Sequence, residues 1–472
     1  MGESALKNFF VTLIPHSPGP GLGRIALASG FSTVGGTMCS LTFAYLAFSL
    51  TGSAFATVMV MVGYTLAYAL FGPRGAAYLR RFDRRWVLVG TDSVKVINYS
   101  AVIFLQIAGL LDVPLIVISS AIGGLTAGAQ YPAWQEVLQK LAPKGKLDEA
   151  DGLFSSTSSI GAAIGAFTGG SLLALFGPVV PLTINVISYL PLMFVIGRLP
   201  AEVGKRSQVD KTSSPLPLRQ VAKLIFSNRL VRLGVLFFAL LEFLAWPIIS
   251  LLPKVAAEFG SSAHIYGILL GSFYFGGVLV AGLLVAAKRN FTYAGIIRFS
   301  LADIALVLII LAVVGFLPFG IVPSVGLSAI LLVTLGIVLG IAGSILGAAT
   351  QLSADPEHEG TVLAYYGAIG LGFGALGGVV EGLIADQLTI WWLPLASGIL
   401  ILVALLYLWR RRDFNPLDQA DPELDRLKRH AVTGSPGLDA PYTSKVAGGG
   451  SRPLGADQSG TITKPAPAKA AK

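Results

Sequence analysis

The sequence predicts an all-α integral membrane protein, with twelve transmembrane helices in two pseudo-symmetric six-helix halves. Three observations lead there. Only 12% of the 472 residues are charged and 54% are apolar, whereas a soluble domain is about 25% charged. The mean hydropathy is +0.73, and so apolar a chain owns too few polar side chains to clothe a surface in water. Apolar runs follow one another from residue 25 to residue 410 with short polar breaks, each near the roughly 20 residues needed to cross a hydrocarbon core of about 30 Å.

In chain order the helices are expected at about 25–50, 54–78, 86–111, 114–140, 150–176, 179–199, 229–256, 263–287, 292–316, 322–351, 359–385 and 389–409. Charge then sets their direction. With the N-terminus inside, the inner connections carry Arg24, Arg80, Arg81, Arg84, Arg85, Lys140, Lys144, Lys146, Lys205, Arg206 and Arg410 to Arg412, and Lys254 is the one cation near an outer end. Lys and Arg collect on the cytoplasmic side, so both termini are expected in the cytoplasm of a cell whose inner membrane holds the chain. The expected organisation is a cytoplasmic segment over 1–24, a first half over 25–199, a cytoplasmic linker over 200–228, a second half over 229–410 and a tail over 411–472. Within the linker, residues 218–227 place Val221, Leu224 and Ile225 on one helical face, which suits a short helix lying on the membrane surface. The tail is rich in Pro, Gly, Ala and Ser without apolar periodicity, so it is read as disordered. The first residues lack a basic stretch followed by a long apolar one, and no cleaved signal peptide is expected.

A weak internal repeat supports two halves. A shift of about 208 residues lays Gly152 on Gly360 and Gly169–Gly170 on Gly377–Gly378. The acids Glu149 and Asp151 fall on Glu357 and Glu359. Transporters are commonly built from such repeats, with the substrate site between them.

The net charge of +9 is accounted for by the inner loops rather than by nucleic acid. A single cysteine, Cys39, excludes a disulfide framework and a cysteine metal site. The four histidines are scattered, and no nucleophile elbow, phosphate loop or ATP motif is present. The reading is a non-enzyme without cofactor or metal, driven by an ion gradient if it transports.

Three segments resemble the major facilitator superfamily, in particular its small-molecule exporters akin to enterobactin and macrolide efflux proteins. The first, GPRGAAYLRRFDRRW, is similar to the superfamily's loop between helices two and three, Gly-x-x-x-Asp-Arg-x-Gly-Arg-Arg. Arg81, Arg84 and Arg85 match its basic positions and Phe82 and Asp83 match the branch's version; Gly75 is one residue early, with Ala76 at the glycine and Arg80 at the acid. The second, SSIGAAIGAFTGG, resembles the exporter motif Gly-x-x-x-Gly-Pro-x-x-Gly-Gly through Gly161, Gly165, Gly169 and Gly170, with Ala166 in place of the proline. Small residues four apart let another helix approach closely. The third, PEHEGTVLAYYGAIG, is similar to the start of helix eleven, where the branch has Arg-Gly-Arg and this chain has Glu359, Gly360 and Thr361. The resemblance implies a gate formed by Gly75, Arg80, Arg81, Asp83, Arg84, Arg85, Asp92, Asp151, Glu357 and Glu359. The two reversals imply a charge swap in which Arg80 pairs with Glu359 or Glu357.

Ionisable residues at membrane depth are costly and mark function by default. Glu242, Asp303 and Glu381 lie in helices seven, nine and eleven. A carboxyl group in a cavity can trade a proton with either side, and packing specificity is the plain alternative. The resemblance has helices one, four, seven and ten line the cavity, which favours Glu242 as proton carrier. Trp246–Pro247 follow it by about one turn, and the proline kinks the helix as a hinge or as a static bend. Tyr45, Gln130, Trp134, Trp246 and Tyr274 are candidate cavity residues, and Tyr131, Tyr266, Tyr365 and Tyr366 add aromatic surface. Asp92 and Lys95 read most simply as a local i,i+3 pair.

The expected function is proton-coupled efflux of small amphipathic molecules by alternating access. A dedicated siderophore or metabolite exporter and a non-transporting scaffold with the same fold stay open. The expected partners are the substrate, protons and the bilayer. For the topology, cysteines placed at Ser207 and Thr433 should escape membrane-impermeant thiol reagents in intact cells, and labelling there would overturn the helix count.

Overall fold

A computed structural model describes residues 21–79, 81–143, 146–205, 223, 225–227, 229–260, 262–286, 293–317, 319–352 and 359–410. They form α1 (Leu22–Thr51), α2 (Ala54–Leu79), α3 (Arg84–Ile107), α4 (Val113–Leu141), α5 (Leu147–Phe176) and α6 (Val179–Gly197). After them come α7 in three pieces (Arg229–Leu244, Pro247–Ser250, Leu252–Glu258), α8 (Ala263–Ala286), α9 (Tyr293–Phe316), α10 (Ile321–Leu352), α11 (Glu359–Gln387) and α12 (Trp392–Arg410). Among the described residues there is no strand. Ten spans are long and apolar enough to cross a membrane, and α2 and α12 add the shorter apolar stretches Ala54–Leu70 and Trp392–Tyr407. Helix is the form hydrocarbon demands, because every backbone N–H and C=O finds its partner within the segment. Large apolar side chains such as Leu27, Ile97, Phe104, Leu175, Val322 and Ile330 lie exposed, as a lipid-facing surface requires.

Helix ends follow local chemistry. α1 stops where Gly52 takes φ 68, its N–H bonding to Phe48 O at 2.6 Å. α3 ends at Ile107, four residues short of the expected 111, because Gly109 adopts φ 68 and turns the chain. Asp83 caps α3 by accepting from the Arg85 N–H at 2.9 Å. Asp112 caps α4 the same way, through the Leu115 N–H at 3.0 Å. Residues 1–20, most of the 206–228 stretch and the 411–472 tail lie outside the described residues, and with them the surface-helix and disordered-tail expectations.

Packing repeats itself six helices later. α1 lies on α5, α2 on α4 and α3 on α6; correspondingly α7 lies on α11, α8 on α10 and α9 on α12. The two sets meet through α5 on α8 and α2 on α11, which are each other's counterparts. Glycines make these approaches possible. Gly161, Gly165 and Gly169 form one face of α5, set against Gly30, Val34 and Met38 of α1. Gly170, rotated about 100° around the helix, meets Gly267 of α8 backbone to backbone. The second half does the same: Gly377 faces the Phe243 backbone of α7, and Gly378 faces Val58 of α2. The glycine repeat of the sequence is therefore a packing repeat. One residue of each pair seats the helix within its own set, and the next brings the two sets together.

This makes a stability prediction with its own control. A Cβ at Gly165 would lie 2.5 Å from Val34 O and 3.0 Å from Thr37 Cβ, whereas one at Gly152 would meet nothing within 4 Å. Gly165→Leu should cost on the order of 1–3 kcal/mol and lower the thermal midpoint in detergent. Gly152→Ala should leave it unchanged or raise it slightly. Equal effects would refute the packing account.

Candidate functional site

A cavity of about 500 Å³ opens between the two helix sets. The first set contributes Cys39, Ser40 and Phe43 (α1), Thr57, Tyr64 and Thr65 (α2), Lys95 and Tyr99 (α3), Ser120 (α4) and Tyr189 (α6). The second contributes Glu242 and Trp246 (α7), Tyr266 and Tyr274 (α8) and Gly374 (α11). Much of the wall is aliphatic or aromatic, with hydroxyls from Ser, Thr and Tyr side chains on both helix sets and a lysine and a glutamate on opposite sets, a make-up that suits a small-molecule site.

Glu242 is the one acidic side chain on the described wall. It is half-buried and has no hydrogen-bond or ion-pair partner among the described residues. The chain breaks one turn later. Pro247 has no N–H to give and its ring displaces the carbonyl four residues back. The Trp246 N–H reaches Leu241 O at 3.3 Å, five residues back, and Ile249 N–H reaches Trp246 O at 3.1 Å, only three back. The helical ladder is thus overwound and underwound within one turn, and Gly374 and Gly377 let α11 close on the irregular segment. Trp246 also packs edge-on against Phe273, with centroids 5.8 Å apart.

The opposite pole is Lys95. It bonds Asp92 Oδ1 at 3.0 Å and Gln130 Oε1 at 2.6 Å, and Gln130 Nε2 returns to Asp92 Oδ1 at 3.1 Å. The expected local pair is present, and Gln130 from α4 closes it into a triangle. Tyr189 lies beneath the ammonium at 5.6 Å, stacked on Tyr99 at 6.3 Å.

The two helix sets are joined by polar contacts at the end of the bundle that carries few charges. Asp386, at the end of α11, accepts from Ser53 Oγ at 2.5 Å, Ala54 N at 2.6 Å and Phe55 N at 3.3 Å. It caps α2 from the other helix set, a carboxylate at the positive end of a helix. Lys254 of α7 stands 3.9 Å from the same carboxylate and donates to Ala385 O. Ser250 Oγ meets Met61 Sδ at 2.9 Å, and Ser171 Oγ meets His264 Nδ1 at 3.1 Å. Lys254 was visible in the sequence as the odd outer cation; its partner Asp386 was not singled out.

At the basic end, the Arg84 side chain is 2% exposed and its Nε bonds Glu136 Oε2 of α4 at 2.7 Å. Arg85 bridges Asp83 Oδ2 at 2.9 Å and Leu199 O at 2.5 Å. The hydrogen bonds from Arg85 hold the Asp83 carboxyl below the usual carboxylate range. Arg81 stacks on Tyr78, 3.6 Å from the ring centroid. Gly75 faces Ala129 of α4. The loop therefore ties α2, α3, α4 and the chain after α6 together. Glu136 was not anticipated, since nothing in its spacing marks it as the partner of Arg84.

The remaining candidates are scattered. Tyr45 packs against the larger hydrophobic core, and Trp134 sits edge-on to Phe154 at 5.2 Å near the basic end. Neither Tyr45, Trp134 nor Gln130 lines the cavity. Glu381 is buried and accepts from Ser397 Oγ of α12 at 3.2 Å, off the cavity wall. Asp303, on α9, is half-buried and also off the wall. Asp151 is half-buried in the first turns of α5. Arg80 and Glu357 lie outside the described residues, as does the side chain of Glu359, and so does the charge swap that joins them.

The contact at Asp386 can be tested with a single thiol on the cavity wall. Cys39, the one cysteine, is buried, so the probe is Ser40→Cys in a Cys39→Ser background, at an exposed position on the same wall. Asp386→Ala removes the cap of α2, worth about 1 kcal/mol, and should raise labelling of position 40 by an impermeant maleimide from the Asp386 side about fivefold. An unchanged rate would mean that the contact does not hold this end shut.

Residues 22–430 match the family model described as transmembrane secretion effector. Macrolide efflux protein A of Streptococcus pyogenes is 22% identical over 359 residues, covering 75% of this chain and 87% of that protein. Its counterpart in Enterococcus faecalis is 24% identical over 321 residues, 67% of this chain and 97% of that one. In fold the chain is similar to the crystal structure of the nucleoside transporter NupG, with a TM-score of 0.62 at 15% identity over 82% of this chain and 99% of that one. It is also similar to the D-xylose-proton symporter, with a TM-score of 0.59 at 15% identity over 86% and 97%. The chain belongs to the transmembrane secretion effector family, within the major facilitator superfamily of multi-pass membrane transporters.

Proposed function

We propose that the chain exports small amphipathic molecules in exchange for protons by alternating access, in the inner membrane with both termini cytoplasmic. One observation carries the proposal: Glu242 is the sole acid on the described cavity wall, has no partner there, and adjoins the break in α7. An unpartnered carboxyl group must differ in solvation between its charged and neutral forms, so the conformation that shields it is favoured once it holds a proton. The neighbouring break supplies backbone that can change shape without severing a regular ladder. The aromatic wall suits an amphipathic solute, and efflux is the activity in the names of the macrolide relatives. Proton exchange supplies the energy, and the latch at Asp386 together with the basic loop forms the two gates. Asp303 and Glu381, both off the wall, are next in line for the proton.

The test uses vesicles with an imposed pH gradient and rhodamine 123, an amphipathic dye. Glu242→Gln keeps the shape of the side chain and loses its titration. It should abolish gradient-driven dye movement while changing dye affinity by no more than a few-fold. Transport at the wild-type rate across pH would move the proton site elsewhere.

A further inference from the structure

We infer that Lys95 forms a donor subsite in the cavity, one that takes an uncharged acceptor oxygen of the transported molecule, such as an ester or ketone carbonyl, and rejects a carboxylate. The inference rests on reading the cavity as the transport site. An ammonium has three donors. Two of them reach Asp92 and Gln130 at 3.0 and 2.6 Å. The third has no acceptor among the described residues, and Lys95 lines the cavity while Asp92 does not. The triangle with Gln130 fixes the ammonium in place, so a ligand need not immobilise a long flexible side chain.

The charge arithmetic selects the ligand. Lys95 is already neutralised by Asp92, and the second Asp92 oxygen is buried without a hydrogen-bond partner. A carboxylate entering this wall would bring an uncompensated negative charge into a low-dielectric space beside a cation that Asp92 already pairs. A neutral oxygen accepts the free N–H without that cost. Tyr64, Tyr99 and Phe43 beside it offer aromatic surface for the rest of the molecule.

The probes are a matched pair with one xanthylium core, rhodamine 123 (a methyl ester) and rhodamine 110 (the free acid). The measurement is equilibrium binding to the purified full-length protein in nanodiscs. Wild type should bind the ester about tenfold more tightly than the acid or better. Lys95→Met keeps the apolar stem without the donor and should lose most of that preference. Asp92→Asn uncovers the charge of Lys95 and should raise affinity for the acid until the preference shrinks or reverses, a gain that misfolding cannot mimic. Glu242→Gln should keep the preference whatever it does to coupling, so failure of the proton site and failure of this subsite are separable. A wild type that prefers the acid or binds neither dye, an unchanged ratio in Lys95→Met, or an unchanged acid affinity in Asp92→Asn overturns the inference.

Discussion

Hydrocarbon offers no partner to a backbone amide and no driving force for one apolar helix to seek another. The first fact leaves helices or closed barrels as spanning forms, and apolar runs of about 20 residues take the helix. The second hands helix association to van der Waals contact at close range and to the few polar groups present. The glycines of α5 and α11 answer this constraint. Where Gly161, Gly165 and Gly169 cross α1, and where Gly170 crosses Gly267, backbones touch at distances no larger residue would allow. The first three seat α5 within its own set, while Gly170 against Gly267 and Gly378 against Val58 bring the two sets together on either side of the cavity.

The same scarcity of polar partners separates the two charged poles of the cavity. Lys95 is a buried cation compensated by Asp92 and held in place by Gln130. Glu242 has no such compensation among the described residues. A compensated charge suits holding a ligand group in one geometry. An uncompensated carboxyl is the group on which the proposed proton exchange rests. The halves have therefore diverged in chemistry while keeping their packing.

Symmetry is also broken in the backbone. α1 runs without interruption from Leu22 to Thr51, yet its counterpart α7 breaks at Trp246–Pro247 and again at Leu251. The break lies beside Glu242 and beneath Gly377 of α11. On the α2 side, the sparsely charged end joins the two helix sets through a trans cap, Asp386 on the first turn of α2. Such a contact is short-ranged and modest in energy.

The sequence by itself determined the fold class and most helix positions, because hydropathy acts on each segment independently of its neighbours. It also carried the glycine spacing, whose period of four is a local property of a helix. The acids of helices seven, nine and eleven were equally legible as costly residues, but only the packing separated Glu242 on the cavity wall from Glu381 paired with Ser397 and from Asp303 off the wall. Gln130 closing on Lys95, Glu136 on Arg84 and Asp386 on the start of α2 join residues 35, 52 and 332 positions apart. Such partners are chosen by the rotation and depth at which helices meet, quantities that no single segment encodes, and so the tertiary structure alone decided them.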